Sequence, residues 1–229
     1  MKPVLVSTWG PTHKKYLGAF FDTAKRQGLD PQNFDNTDWD GGGDWKLIPW
    51  YKKSEGQARF VRENADKYTH FVFTDSYDVV FAAGMDEIMA KFQRLNSPIV
   101  FAAECYCWPN LEQASLYPPT IHRCKYLNAG MWIATTEAAL PFTEELASIA
   151  SKREKDDQQI VVDMFLSKRH PIVLDHTCSL CFCCNMDSLE FLYLSQGSRP
   201  QTRDTSEYPC LFHGNGASDL RGICAVIAP

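Results

Sequence analysis

The chain has 229 residues and a formal net charge of −5 at pH 7, with 45% hydrophobic and 22% charged residues. This composition is typical of a soluble globular protein, and the length suits one large α/β domain over residues 1–229. The acidic balance and the lack of a basic run argue against a nucleic-acid partner. No stretch approaches the roughly 18 apolar residues of a membrane span, so no membrane segment is expected.

The hydrophobic pattern predicts strands that alternate with helices. Strands are expected at residues 3–8, 71–73, 99–103, 171–174, 178–184 and 209–212, with a short one after the small pair Ala129-Gly130. Helices are expected at 11–27, 50–67, 85–95, 136–150 and 155–166. This alternation predicts an α/β fold with a mostly parallel central sheet flanked by helices.

Two segments early in the chain carry separate expectations. Thr8, at the end of the first strand, lies where a base or ribose could be held. A long polar, glycine-rich loop is predicted over residues 29–45, and loops of this length are usually functional or disordered. In the helix that follows, Lys52, Lys53 and Arg59 are expected to form a solvated face.

The candidate site starts where the buried strand 71–73 runs into Asp75 and Asp78. In a turn leaving the strand, both carboxylates can face one point and offer the oxygen ligands that Mg²⁺ or Mn²⁺ prefers. The structural alternative is that Asp75 caps the turn and Asp78 is solvated. The next buried strand also ends in acid, at Glu104. Ligands of open α/β sheets bind outside the carboxyl ends of strands, so these acids indicate a cation with a phosphate-bearing ligand.

A histidine follows the last predicted strand. His213 stands directly before Gly214-Asn-Gly216, where the backbone can approach a phosphate and leave amide donors exposed. A lone histidine is more often structural than a ligand. Two carboxylates with one imidazole nevertheless fit Mn²⁺ well.

A cysteine cluster offers a competing metal, because Cys178, Cys181, Cys183 and Cys184 with His176 could supply zinc ligands. On an unbent strand these cysteines alternate between two faces, so four ligands cannot converge and buried reduced thiols are favoured. The nine cysteines follow an N-terminus whose apolar run is too short for a signal peptide. We therefore expect a cytoplasmic protein.

Seven short segments occur in a characteristic order. They are GGG at 41–43, FTDSYDVV at 73–80, FAAECYCWP at 101–109, YLNAG at 126–130, DDQ at 156–158, LDH at 174–176 and HGNG at 213–216. Together they resemble the glycosyltransferase domain of the procollagen lysyl hydroxylase (PLOD) family, over about residues 4–217. The resemblance implies a GT-A fold and Mn²⁺-dependent transfer of glucose or galactose from UDP-glucose or UDP-galactose to a hydroxyl acceptor.

The resemblance also implies a role for each matching position. Asp75, Asp78 and His213 become the metal ligands, with Asp75 also on the donor side. Thr8, Gly214 and Gly216 are already expected on the donor side. The resemblance adds to that side Trp39, Gly43, Lys46, Trp50, Ser76 and Asn128. The sugar and acceptor side takes Glu104, Trp108, Asp156 and Asp157. For the two aspartates there is a structural alternative, because the helix macrodipole alone favours acid in a first turn.

Two other functions stay open from the sequence. A sugar nucleotidyltransferase also binds metal through acidic residues at strand ends. It normally needs a glycine-rich basic loop directly after its first strand, and WGPT at 9–12 is not such a loop. A non-catalytic or zinc-stabilised binding protein could use the same fold. The resemblance points to hydroxylysine or galactosyl-hydroxylysine of collagen-like chains as acceptor, while another protein, a glycan or a small molecule stays open.

Overall fold

A computed structural model of the chain describes residues 1–10, 17–34, 50–151, 156–185, 188–216 and 218–227, without the side chains of Trp50 and Ser188. The start of the first predicted helix and most of the predicted glycine-rich loop lie outside these residues. The same holds for three predicted donor-side residues, Trp39, Gly43 and Lys46. Within the described part, no helix is long and apolar enough to cross a membrane.

Strands and helices are interspersed along the described chain. The strands are β1 Lys2–Ser7, β2 Gln32–Asn33, β3 Tyr68–Thr74, β4 Val79–Phe81, β5 Ile99–Glu104, β6 Tyr126–Thr135, β7 Ile172–Asp175, β8 Cys181–Cys183, β9 Leu192–Tyr193, β10 Gln201–Thr202 and β11 Leu211–His213. The α-helices are α1 Gly18–Arg26, α2 Trp50–Asn64, α3 Met85–Arg94, α4 Thr136–Ala150, α5 Asp157–Leu166 and α6 Arg221–Ile227. Short 3-10 helices span Leu111–Leu116 and Ser188–Phe191.

The central sheet has the strand order β2-β1-β3-β6-β5-β7. Its β1–β2, β1–β3 and β5–β7 pairs are parallel, and β6 runs antiparallel to both of its neighbours. Alternate residues of one strand point to opposite faces. Accordingly, Phe71 and Phe73 of β3 join a core with α2, α4 and α5, while Val72 joins a second core with α1 and α3. The predicted α/β fold with a mostly parallel sheet is confirmed.

A second, three-stranded sheet of order β4-β11-β8 lies beside the first. Its β11 strand pairs antiparallel with β4 and parallel with β8, which sets His213 opposite Val79. Because Asp78 directly precedes Val79, this register brings the late histidine back to the acidic turn after β3. The sequence did not predict β4, and so it left the position of His213 undetermined.

Three sequence predictions about elements are wrong in part. The expected strand at 178–184 is confined to Cys181–Cys183, because Cys178 has a φ of 56° and lies in a turn. Residues 32–33, expected within the polar loop, form the edge strand β2. After residue 184, where the sequence predicts only the strand at 209–212, the structure also contains β9, β10 and α6.

Candidate active site

A cavity of about 1080 Å³ opens at the carboxyl ends of β3 and β5. The N-terminal half of β6, the start of α5 and the end of β11 also contribute to its wall. The predicted site residues that line it are Asp75, Asp78, Glu104, Trp108, Asn128, Asp156, Asp157, His213 and Gly216. This is the edge of the sheet where open α/β folds bind ligands.

Two carboxylates and one imidazole converge at the floor of this cavity. The ligand atoms of Asp75, Asp78 and His213 all lie within 4.8 Å of one another. His213 Nε2 is 3.3 Å from Asp78 Oδ2 and 3.6 Å from Asp75 Oδ2. Backbone hydrogen bonds hold the arrangement, since Gly214 N–H donates to the Asp78 carbonyl oxygen at 2.6 Å. This donor set fits a hard divalent cation and is a candidate metal site.

The side chain of Asn128 determines how His213 faces that site. Asn128 Oδ1 accepts the Gly130 N–H at 2.9 Å and lies 3.0 Å from His213 Nδ1. Because this amide oxygen can only accept, Nδ1 carries a proton, and Nε2 is the nitrogen that faces the carboxylates and is left to bind a metal once it is deprotonated. A hydrogen bond of this kind orients most metal-binding histidines. The neutral imidazole therefore has the tautomer that a metal needs.

Charge at the site makes a proton compete with a cation for Nε2. Burial disfavours the imidazolium, but the Asp78 carboxylate outweighs it and raises the pKa of His213 well above its ordinary value. Burial likewise disfavours the Asp78 carboxylate. The charge of His213 outweighs this effect of burial and lowers the pKa of Asp78. A metal bound at Nε2 would displace that proton, so cation binding should release protons.

The small residue Gly130 makes room for the imidazole. A Cβ atom built on Gly130 would overlap the ring of His213, lying 2.5 Å from Nδ1 and 2.8 Å from Nε2. A pair of small residues such as Ala129-Gly130 lets another group approach the backbone closely. In the structure that group is the side chain of His213.

Lys53, predicted on a solvated face, is a buried lysine that lines the cavity. Lys53 is 7% exposed, and its Nζ lies 2.8 Å from both Asp75 Oδ1 and Asp157 Oδ2. Burial disfavours the ammonium, but the two carboxylates outweigh it and raise its pKa above the ordinary value. The prediction was wrong for this residue, although a signal existed. Lys53, Gln57 and Val61 share one helix face by their spacing, and Val61 is a core residue.

Glu104 connects three amide side chains beneath the cavity. Its Oε1 accepts from Asn128 Nδ2 at 3.0 Å and Gln158 Nε2 at 2.8 Å, and its Oε2 accepts from Asn215 Nδ2 at 2.9 Å. Burial raises the pKa of Glu104, and the amide donors only partly oppose this. The carboxylate holds Asn128, which in turn holds His213, so Glu104 positions the triad indirectly. Neither Gln158 nor Asn215 is among the site residues predicted from the sequence.

Replacing Glu104 with glutamine should weaken this network, because an amide NH₂ group would face another amide donor. We expect Glu104→Gln to lower the free energy of unfolding by about 1–3 kcal/mol and to weaken Mn²⁺ binding about tenfold. Urea unfolding and Mn²⁺ titration measure the two effects. The exposed Glu112 is the matched control, and Glu112→Gln should change neither. Unaltered Mn²⁺ affinity in Glu104→Gln would limit Glu104 to a structural role.

Comparison with known proteins assigns the chain to a family. The family model described as the PLOD GT domain matches residues 11–221. The chain belongs to this family. Membership makes it a glycosyltransferase, which confirms the predicted enzyme class and sets the nucleotidyltransferase alternative aside.

The relatives of this PLOD GT domain are longer proteins. Procollagen-lysine,2-oxoglutarate 5-dioxygenase 2 of Mus musculus is 28% identical over 195 residues, covering 80% of this chain and 25% of the relative. Multifunctional procollagen lysine hydroxylase and glycosyltransferase LH3 of Homo sapiens is 26% identical over 195 residues, covering 80% and 26%. The chain thus spans about a quarter of the length of these relatives.

A solved structure supports the fold assignment independently. The crystal structure of a glycosyltransferase involved in the glycosylation of the major capsid of PBCV-1 superposes with a TM-score of 0.58. The two proteins share 12% identity over 95% of each chain. At this identity the match speaks for the architecture alone, and it confirms the predicted GT-A fold.

The two acids at the start of α5 in the PLOD GT domain differ in their contacts. Asp156 is the N-cap, and its Oδ1 accepts the Gln158 N–H at 2.9 Å, as the structural alternative expected. Asp157 Oδ2 accepts from Lys53 Nζ at 2.8 Å, and Asp157 Oδ1 accepts the Gln158 N–H at 3.0 Å. Burial, helped by the neighbouring charge of Asp157, raises the pKa of Asp156. Both residues line the cavity as well as starting the helix.

Several residues predicted on the donor side lie away from the cavity wall. Ser76 is buried, and its hydroxyl donates to the Thr8 carbonyl oxygen at 2.6 Å, joining the ends of β1 and β3. The expectation of an exposed amide at Gly214 is wrong, because that N–H donates to the Asp78 carbonyl. Gly216, with a φ of 70°, does line the cavity. The side chain of Trp50 is outside the described atoms.

The opposite side of the cavity is apolar and aromatic. Trp108 is 50% exposed, Tyr106 64% and Leu111 73%, and all three line the cavity. Exposed large apolar side chains at a cavity entrance are typical of ligand or partner contact. The role of Trp108 on the acceptor side stays a prediction.

The cysteine cluster does not converge on a point. Among the described residues, the only group of three or more His, Cys, Asp or Glu ligand atoms close enough for a metal is the Asp75, Asp78 and His213 triad. Cys178, Cys181, Cys183 and Cys184 are buried thiols that help form the two cores. The geometry therefore favours packing over zinc binding for these residues.

Proposed function

We propose that this PLOD GT domain transfers glucose or galactose from a UDP-sugar to a hydroxyl acceptor with the help of Mn²⁺. The observation that carries the proposal is the convergence of Asp75, Asp78 and His213 within 4.8 Å at the carboxyl end of the sheet. Family membership supports a nucleotide-sugar donor. The oxygen and imidazole donor set supports Mn²⁺.

In this proposal Asp75, Asp78 and His213 hold Mn²⁺, which as a Lewis acid would offset the charge growing on the departing UDP. Lys53 keeps Asp75 and Asp157 in place through its two ion pairs. Asn128 keeps the proton on His213 Nδ1. Uridine would be held by Thr8 and the segment 41–50, which contains Gly43, Lys46 and Trp50.

A base is needed to take the proton of the attacking hydroxyl. Both oxygens of Asp157 are engaged, one by Lys53 and one by the Gln158 N–H. Asp156 is better suited, because its raised pKa improves its ability to accept a proton. A carboxylate base of this kind contributes roughly 10²–10⁴-fold to a rate.

The acceptor would enter along Tyr106, Trp108 and Leu111, whose exposed surfaces can pack on a peptide or a sugar ring. One relative is a multifunctional procollagen lysine hydroxylase and glycosyltransferase. We therefore propose a hydroxyl carried by a protein, such as hydroxylysine or galactosyl-hydroxylysine of a collagen-like chain. The cytoplasmic location expected from the sequence stays a prediction.

Calorimetric titration of UDP into the protein, with Mn²⁺ and then with EDTA, tests the proposal. We expect binding that requires Mn²⁺, and Asp78→Asn should weaken it at least about tenfold because one charged ligand is lost. The exposed Asp219 lies outside the cavity, so Asp219→Asn should bind like the wild type. Tightly bound zinc without Mn²⁺-linked UDP binding would instead favour the binding-protein alternative.

A further inference from the structure

The aromatic side of the cavity belongs to a loop with a cysteine near each end. This wall loop, residues 105–125, connects β5 to β6 and carries Tyr106, Trp108 and Leu111. Cys105 is its first residue, and Cys124 is its last but one. We propose that Cys105 and Cys124 are a modification site, which a peroxide converts reversibly into a disulfide that closes the base of the wall loop.

The sheet brings the two thiols together. β5 and β6 are antiparallel, with Glu104 opposite Tyr126, and the Lys125 N–H donates to the Glu104 carbonyl oxygen at 3.0 Å. Both cysteines therefore stand where this strand pair ends, and their Sγ atoms are 3.3 Å apart. A disulfide needs about 2.05 Å, so bond formation requires the sulfurs to approach by only about an ångström. The backbone hydrogen bond fixes this proximity.

The two thiols differ in access and in charge environment. Cys105 is partly exposed and lines the cavity, whereas Cys124 is buried. Arg123 Nη1 lies 2.6 Å from Cys105 Sγ, and a guanidinium at this distance favours the thiolate. The hydrogen bond with Cys124 and burial nevertheless raise the pKa of Cys105, against the charge of Arg123. The pair should therefore resist mild oxidants and react when a peroxide reaches it in excess.

The reaction proceeds in two balanced steps. The Cys105 sulfur attacks one peroxide oxygen, the O–O bond breaks, and with the proton from the thiol the products are a sulfenic acid and water. The Cys124 sulfur then attacks the Cys105 sulfur, the S–O bond breaks, and its proton leaves with hydroxide as a second water. Two thiols are oxidised and one hydrogen peroxide is reduced. A thiol reductant reverses the change by exchange.

The disulfide would stabilise the part of the cavity that carries the acceptor side. Closing the wall loop at its base restricts the unfolded chain, which is the main way a disulfide stabilises. Cys105 also directly follows Glu104, whose carboxylate holds the amide network under the triad. The wall loop should then be less mobile, and Tm should rise by about 5 °C.

Peptide mapping of the full wild-type chain tests the site without any assay of turnover. The protein is treated with hydrogen peroxide, remaining thiols are alkylated, and the digest is compared with and without reductant. We expect a peptide containing Cys105 joined to one containing Cys124, lost after reduction, together with the rise in Tm. Over-oxidation of Cys105 without a cross-link, or intact thiols at both positions, would overturn the proposal.

Neighbouring cysteines provide the controls. Cys107 lies in the same loop, and its Sγ contacts the Asn110 carbonyl oxygen at 3.3 Å, so Cys107→Ser should leave the cross-link unchanged. Cys105→Ser should abolish it. Cys178 also interacts with the Cys124 thiol and is the competing partner. A cross-link from Cys124 to Cys178, or one that survives in Cys105→Ser, would refute the assigned pair.

Discussion

Replacing Gly130 with alanine should abolish the proposed Mn²⁺-dependent glycosyl transfer while the fold persists. The added methyl group would occupy the space of the His213 ring, so the imidazole must leave the position 3.0 Å from Asn128. A displacement of about an ångström at such a site costs on the order of a hundredfold in rate. We expect UDP release from UDP-glucose or UDP-galactose with Mn²⁺ to fall at least about a hundredfold, with circular dichroism unchanged.

A double-mutant cycle shows whether the effect passes through the histidine. If Gly130→Ala acts only by displacing His213, it should cost no further activity in a His213→Ala background. Gly18 supplies the matched glycine control, since a Cβ there meets nothing within 4 Å and Gly18→Ala should leave turnover unchanged. Near-wild-type activity in Gly130→Ala would show that His213 is not needed in its present position. It would also count against the proposed triad.

The sequence could predict the parts of this site that lie within single segments. Asp75 and Asp78 are separated by a short turn, so their convergence depends on local geometry after a buried strand. Glu104 could be placed at the same edge because β5 is recognisable from its apolar run. The role of Gly130 could be predicted only in part. A small residue indicates that another group approaches the backbone closely, but the sequence does not identify that group as His213.

Contacts between residues that are distant in the chain could not be predicted from the sequence, for a physical reason. His213 reaches the acidic turn through the β4–β11 pairing, and β4 has only three residues, too few for a periodic signal. Glu104 meets amides from β6, α5 and the segment after β11, and no spacing in the sequence encodes such contacts. These contacts arise only when separate elements pack, so reasoning along the chain could not find them.

Lys53 was predicted on a solvated face because a lysine on a helix is usually solvated, although its spacing from the core residue Val61 pointed to the buried face. Replacing it with methionine should leave Asp75 and Asp157 facing each other without the cation they share. Breaking a buried pair costs about 3–5 kcal/mol, and we expect about 2 kcal/mol because Asp75 is partly exposed. Repulsion should also move Asp75 away from Asp78 and His213, and UDP-sugar turnover should fall at least about tenfold. Urea unfolding and steady-state kinetics measure these effects.

The charge balance determines which second substitution restores stability. Asp157→Asn removes one of the two acids, so the double mutant should recover part of the stability lost in Lys53→Met, and the cycle reports the coupling. Because the two carboxylates outweigh burial and raise the pKa of Lys53 above 10.5, its contribution is complete below that value and lost only as pH rises past it. The stability difference should then be constant between about pH 6 and pH 9.

A second buried lysine separates loss of stability from loss of function. Lys91 is 8% exposed and pairs with Glu87 at 2.8 Å, but it does not line the cavity. Lys91→Met should therefore destabilise the protein while sparing turnover per folded molecule. If Lys53→Met and Lys91→Met lose stability alike and both keep full turnover, Lys53 is only a structural ion pair. If turnover falls in Lys53→Met alone, the Lys53 ammonium that pairs with Asp75 and Asp157 contributes to the active site.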